Sequence, residues 1–163
     1  MKKHSEIPMK FQKALAEYFL LYFTERNYDR LDALLSDSFS AYGTGRDEHV
    51  YTKNEALRLF KRDLETAPNP MNYTFLNKVF LPLNDHTAVF QGELKTETTI
   101  LGEYFSFPHL RLTLVFHQEA EGVKLVAKHI SLPTTEHEEG ESYPLKELEE
   151  RKRLKNQGLE IRF

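Results

Sequence analysis

Residues 104–117, YFSFPHLRLTLVFH, and 123–132, VKLVAKHISL, each alternate along their length, with the turn-prone stretch Gln118 to Gly122 between them. Period-two alternation marks a strand with one buried face, so the pair reads as an antiparallel hairpin. Setting His117 opposite Val123 aligns Val115 with Leu125, Thr113 with Ala127, Arg111 with His129 and His109 with Ser131. Two apolar rows then give way to a polar cluster of Arg111 and His129, as a partly apolar pocket with a few polar anchors requires. A slip of one residue would send these side chains to other partners or to the other face.

Two further strand-like segments precede the hairpin: NYTFLNKVFLPL (72–83) and HTAVFQGELKTETTI (86–100), with turns at Asn84-Asp85 and Leu101-Gly102. Pairing Leu83 with His86, and Ile100 with Glu103, continues the polar row as Asn77, Gly92, Arg111, His129, where the glycine leaves space. The opposite face carries Phe80, Val89, Leu110, Leu112, Leu114, Phe116, Val126, Ile130 and Leu132, too apolar for a solvated surface. With the polar row turned toward the helices, that apolar outer face is expected to meet a second copy, giving a homodimer.

Upstream, MKFQKALAEYFLLYFTER (9–26) spaces Phe11, Leu15, Tyr18 and Tyr22 as the buried stripe of a long helix that Asn27 ends. Leu31, Leu34 and Leu35 suggest a short second helix. FSAYGTGRDEHVY (39–51) reads as a strand bent around Gly43 and Gly45 with φ > 0, and it lacks the Lys-Ser/Thr of a phosphate-cradling loop. Thr52 and Glu55 form a capping-box pattern before a third helix, which Pro68 and Pro70 close. Three helices and then a meander predict an α+β domain over residues 1–133. Residues 134–163 are an acidic linker and a charged helix opened by Pro144 and stopped by Gly158.

The 163 residues include no Cys, which excludes disulfides, thiolate metal sites and cysteine nucleophiles. A net charge of −3 without a long basic block argues against nucleic acid. MKKHSEIPMK starts basic, but no apolar run of signal-peptide length follows directly, so the reading is a soluble cytoplasmic protein with no membrane partner. Asp47-Glu48-His49 is not at helical metal-ligand spacing and His137-Glu138-Glu139 lies in the linker, so no metal or cofactor is expected.

In its order of elements over residues 9 to 133, the chain resembles the SnoaL-like branch of the nuclear transport factor 2 superfamily. Two segments carry the likeness: Gly43-Thr44-Gly45-Arg46-Asp47-Glu48 and His129-Ile130-Ser131-Leu132-Pro133. Together with Glu141-Ser142-Tyr143-Pro144-Leu145 they are similar to SnoaL-like domains of bacterial signalling proteins, in which such a stretch leads into a linker helix. A second likeness, through Leu110-Arg111-Leu112-Thr113, is to the association domain of calcium/calmodulin-dependent protein kinase. The resemblance implies a cone: three N-terminal helices on a curved, mainly antiparallel sheet.

Arg111 and His129 are the expected anchors for a small polar or anionic ligand inside that cone, with Tyr18 and Tyr22 as hydroxyl contacts and Asn77 and His109 at the margin. The alternatives are an ion pair with an acidic side chain for the first pair and ordinary core packing for the tyrosines. A non-enzymatic ligand-binding, sensory and dimerisation module is the favoured function. The alternative is an isomerase or cyclase of the ketosteroid isomerase and polyketide cyclase type, which uses a carboxylate base that the central inward rows of this reading lack.

Overall fold

The computed structural model describes residues 6–134, 140 and 142–157. The chain divides into two compact units, residues 1–132 and 133–163. In the first, helices α1 (Met9–Phe19), α2 (Tyr28–Leu34) and α3 (Lys53–Thr66) lie against one face of a curved six-stranded sheet. Its strands are β1 (Leu35–Tyr42), β2 (His49–Val50), β3 (Asn72–Asn84), β4 (Thr87–Ile100), β5 (Glu103–Glu119) and β6 (Gly122–Ser131), in the order β2-β1-β6-β5-β4-β3. All neighbours are antiparallel except β1 and β6. The second unit contains α4 (Leu145–Asn156), begun at Pro144; Gly158 and most of the acidic linker fall outside the described residues. Among the described residues no helix is long and apolar enough to cross a membrane.

The first helix does not run evenly to Asn27. After Phe19 it widens into a π turn over Leu20–Thr24, closed by the Glu25 N–H donating to the Leu20 carbonyl at 2.7 Å. Arg26, at φ +53°, reverses the chain. Asn27 opens the next helix instead of ending the first, its side chain accepting from the Arg30 N–H at 3.1 Å. Thr52 caps α3 through the Glu55 N–H, while the Glu55 carboxylate accepts from the Tyr51 N–H, so both halves of the expected box are filled one residue apart.

The hairpin exists, but its register and its faces differ from the sequence reading. Arg111 opposes Ser131, and His129 opposes Thr113. The loop is a two-residue turn closed by Glu119 and Gly122 rather than a five-residue loop, and a bulge follows at Val126, which together displace the pairing by two residues. A displacement of two keeps Arg111 and His129 on a common face. A second bulge puts Pro108 and His109 of β5 against Lys95 alone, where a residue without an N–H weakens no ladder. The turn at Asp85-His86, with Leu83 bulged beside it, sets Asn77 against Glu93, so the polar row runs Asn77, Glu93, Arg111, Ser131, and a further bulge leaves Leu76 unpaired.

Gly92 consequently lies in the next row, between Lys78 and Leu112. The room it leaves is taken by aromatic rings: a Cβ there would meet the Phe90 ring at 2.9 Å and Phe75 at 3.6 Å.

The apolar face, not the polar one, meets the helices. Leu110, Leu112, Leu114, Phe116 and Ile130 are buried with Phe11, Tyr18, Phe19, Phe23 and Phe60 in a single core. They cannot form the outer dimer surface, and Val126 is a bulge residue. The physical reason is the amount of surface at stake. At ~25 cal/mol per Å², four leucine-sized side chains and a phenylalanine release far more free energy against the helices than Arg, His and Glu could.

Candidate functional site

The expected anchors gather, but on the outer sheet face. Asn77, Arg111 and His129 line a shallow concavity of about 410 Å³ there, with Gln91, Glu93 and Thr113. The Arg111 side chain is 53% exposed, and its Nε stands 3.8 Å from Glu93 Oε1. His109 Nε2 lies 3.4 Å from the other Glu93 oxygen. This is a half-solvated charge cluster across adjacent strands, outside the cone.

The cone interior holds a different cavity, of about 210 Å³, between the π turn, α3, the β1–β2 loop and β4–β6. Its walls are mainly apolar, with Tyr22, Phe60, Phe105, Phe107, Leu110 and Ile130 among them. Lys128 enters it from β6. It shares the inner face with Ile130 two residues on, and opposes Leu114. Lys128 is 6% exposed, and no carboxylate of the described residues lies within ion-pair distance. Its Nζ sits 3.7 Å from the centre of the Tyr22 ring, 5.0 Å from Phe60 and 5.8 Å from Tyr18. Burial pulls the ammonium down to about pKa 7, against the attraction of Asp63 and Glu48. Sequence reasoning passed over this residue, though its parity with Ile130 on an otherwise apolar strand face was the available signal.

The two expected tyrosines flank this lysine instead of Arg111. Tyr18 and Tyr22 stack at 5.4 Å and 13°. Tyr22 lines the cavity; Tyr18 is fully buried, and its hydroxyl has no hydrogen-bond partner among the described residues. Burial raises both phenols well above the usual tyrosine range, so both stay neutral donors.

Carboxylates reach the interior from the helix and the loop, not from the strands. Asp63 of α3 accepts on Oδ2 from Arg26 Nη2 at 3.0 Å and from the Tyr28 hydroxyl at 2.5 Å. Arg26 also donates to the Ala67 carbonyl from Nε and Nη2, and to the Tyr22 carbonyl from Nη1, tying the ends of the first and third helices together. Glu48 folds back on its own loop, its carboxylate accepting from the Gly45 N–H at 2.9 Å. That interaction explains the GTGRDE segment. The sequence reading expected positive φ at Gly43 and Gly45, and neither has it; what the site requires is space, since a Cβ on Gly43 would sit 2.3 Å from Glu48 Oε2. Asp63 and Glu48 side chains are 35% and 31% exposed and mark where the cavity reaches solvent.

Other proteins share this architecture. A ketosteroid isomerase-like protein from Erwinia carotovora atroseptica superposes with a TM-score of 0.66 at 16% identity, over 80% of this chain and 98% of that one. An NTF2-like protein with a cystatin-like fold from Novosphingobium aromaticivorans gives 0.59 at 14%, over 82% and 83%. An NTF2-like protein from Pseudomonas putida gives 0.64 at 10%, over 77% and 85%. At these identities the likeness is one of fold. No curated protein matches the sequence at a significant level. The SnoaL-like domain model matches residues 13–135, most of the chain, and with the helix-lined curved sheet already described, this chain belongs to the SnoaL-like domain family.

Proposed function

We propose that this domain is a non-enzymatic small-molecule-binding module of the cytoplasm, sensory in role, whose ligand occupies the interior cavity and touches Lys128. One observation carries the reading: a lysine buried with no counter-ion among the described residues, in an apolar cavity that opens to solvent. Burying a cationic group is costly, and a merely structural position would be filled more stably by Met or Leu. A ligand fitting about 210 Å³ is compact and mainly apolar, with one polar end for the amine. Tyr22 supplies a face and a hydroxyl.

The outer face supports homodimerisation through a row that shares only Val89 with the face the sequence suggested. Leu81, Val89, Val115 and Ala127 form an apolar row across four strands, beside Val79, Gln91, Thr113 and His129. Glu93 on β4 and Arg111 on β5 oppose each other in a neighbouring row, so a two-fold axis running between these strands and along them would bring unlike charges of two copies together.

An isomerase or cyclase remains the second reading, favoured by an amine near neutrality that could accept a proton. Asp63, the carboxylate nearest to the role of base, is spent on Arg26 and Tyr28. The test is amide-resonance mapping of a fragment library by NMR. Binders should shift Tyr22, Leu110 and Lys128 together. Binders that shift only Arg111, Thr113 and His129 would move the site to the outer face, and turnover of a bound fragment would select the enzyme.

A further inference from the structure

We infer that Lys128 binds aldehydes covalently and reversibly, as an imine formed inside the cone. The inference rests on the interior cavity being the ligand site, and it names the class of ligand. Among the described residues Lys128 Nζ has no salt bridge to break; it lies among the walls of a cavity and is surrounded by ring faces. An amine so placed is available as a nucleophile once it sheds its proton, and burial brings that loss into the neutral range. Two carboxylates, Asp63 and Glu48, already stand around the cavity. A carboxylate ligand would add its own desolvation cost to that of the ammonium, whereas a neutral carbonyl compound adds little.

The step balances without a co-reactant. The lysine ammonium gives up a proton, and the nitrogen lone pair forms a C–N bond to the carbonyl carbon as the C=O π pair moves to oxygen. The carbinolamine oxygen takes up two protons, both from the original ammonium nitrogen, and leaves as water. Ammonium and aldehyde thus become protonated imine and water, with no net proton released. The positive charge ends on the same nitrogen, 3.7 Å from the centre of the Tyr22 ring, where the aromatic face attracts it. The substituent of the aldehyde carbon extends along the apolar wall formed by Phe60, Leu110 and Ile130.

Benzaldehyde is a suitable probe. The whole chain is incubated with it at pH 7, reduced with cyanoborohydride, and the benzylated lysines are located by peptide mass mapping. An exposed lysine is about 0.04% amine at pH 7, so Lys128 should be labelled at least about tenfold faster than any exposed lysine, even after its lower nucleophilicity is allowed for. Lys128→Arg, which keeps the charge and the stem, should lose that label alone. Mapping on the unaltered chain decides the matter even if the variant does not fold. Benzyl alcohol, which cannot form an imine, is titrated in parallel by NMR. Shifts at Tyr22 and Leu110 with no preferential label on Lys128 would overturn imine formation and leave the interior site standing. Neither shifts nor label would overturn both.

Discussion

Lys128→Met isolates the cost of the buried ammonium. Burial brings the folded value from 10.5 to about 7, while the unfolded chain keeps the exposed value. Between those two pH values the unfolded state holds more protons, so stability rises with pH across that window, and the full penalty applies below it. From pH 7 to pH 9 the gain approaches 1.4 kcal/mol per unit at its steepest and totals about 2 kcal/mol. Met keeps the stem against Tyr22 and Phe60, adds favourable sulfur–ring contact, and has no proton to lose. At pH 7 the variant should therefore be the more stable, by about 2 kcal/mol once the lost cation–π attraction is deducted from a penalty of about 4. Its advantage should shrink by about 2 kcal/mol at pH 9. Other groups titrate alike in both proteins. Tyr18, Tyr22 and Tyr28, raised by burial, cost stability only above about pH 10, where unfolded phenols ionise. Urea denaturation at the two pH values for both proteins supplies the comparison. Parallel curves, with the same gap at pH 7 and pH 9, would show that the amine is solvated in the folded chain and would remove the basis for a reactive lysine.

Asp63→Asn should destabilise the fold by about 2 kcal/mol in the same assay, because the buried Arg26 loses its anionic partner and Tyr28 its charged acceptor. Gly92→Ala should cost about 1 to 3 kcal/mol, since the new Cβ would stand 2.9 Å from the Phe90 ring; an unchanged urea midpoint would mean that the ring yields freely. Val115→Glu, in the middle of the outer apolar row, should convert a dimer to a folded monomer in sedimentation equilibrium, whereas an unchanged dimer would place the interface elsewhere.

The elements of this fold were legible because each had a local cause: the aromatic stripe of α1, the Thr52 cap, the Leu101-Gly102 turn and the alternation of β3 to β6. The register was not. Bulges at Leu83, at Pro108-His109 and at Val126 each insert a residue that no period-two count detects, and each reassigns every partner beyond it until another bulge, as at Leu76, shifts the count again. Pro82 and Pro108 were the local hints, as residues that cannot donate inside a long strand. The choice of inner face turns on a comparison that the sequence does permit. One face of β5 offers four large apolar side chains in succession and the other offers Arg111, Thr113, Val115 and His117, so burial of the first against amphipathic helices is the lower free energy. The polar chemistry of Arg111 and His129 does not offset that difference, so both lie on the outer face. On an apolar face turned inward, the informative member is the one that is not apolar. Lys128, between Val126 and Ile130, is that member on β6, and the aromatic residues of the first helix at Tyr18 and Tyr22 are what a buried ammonium with no carboxylate partner among the described residues requires. The π turn that follows Phe19 is the element no propensity announced, and it bears Tyr22, the ring that covers the amine.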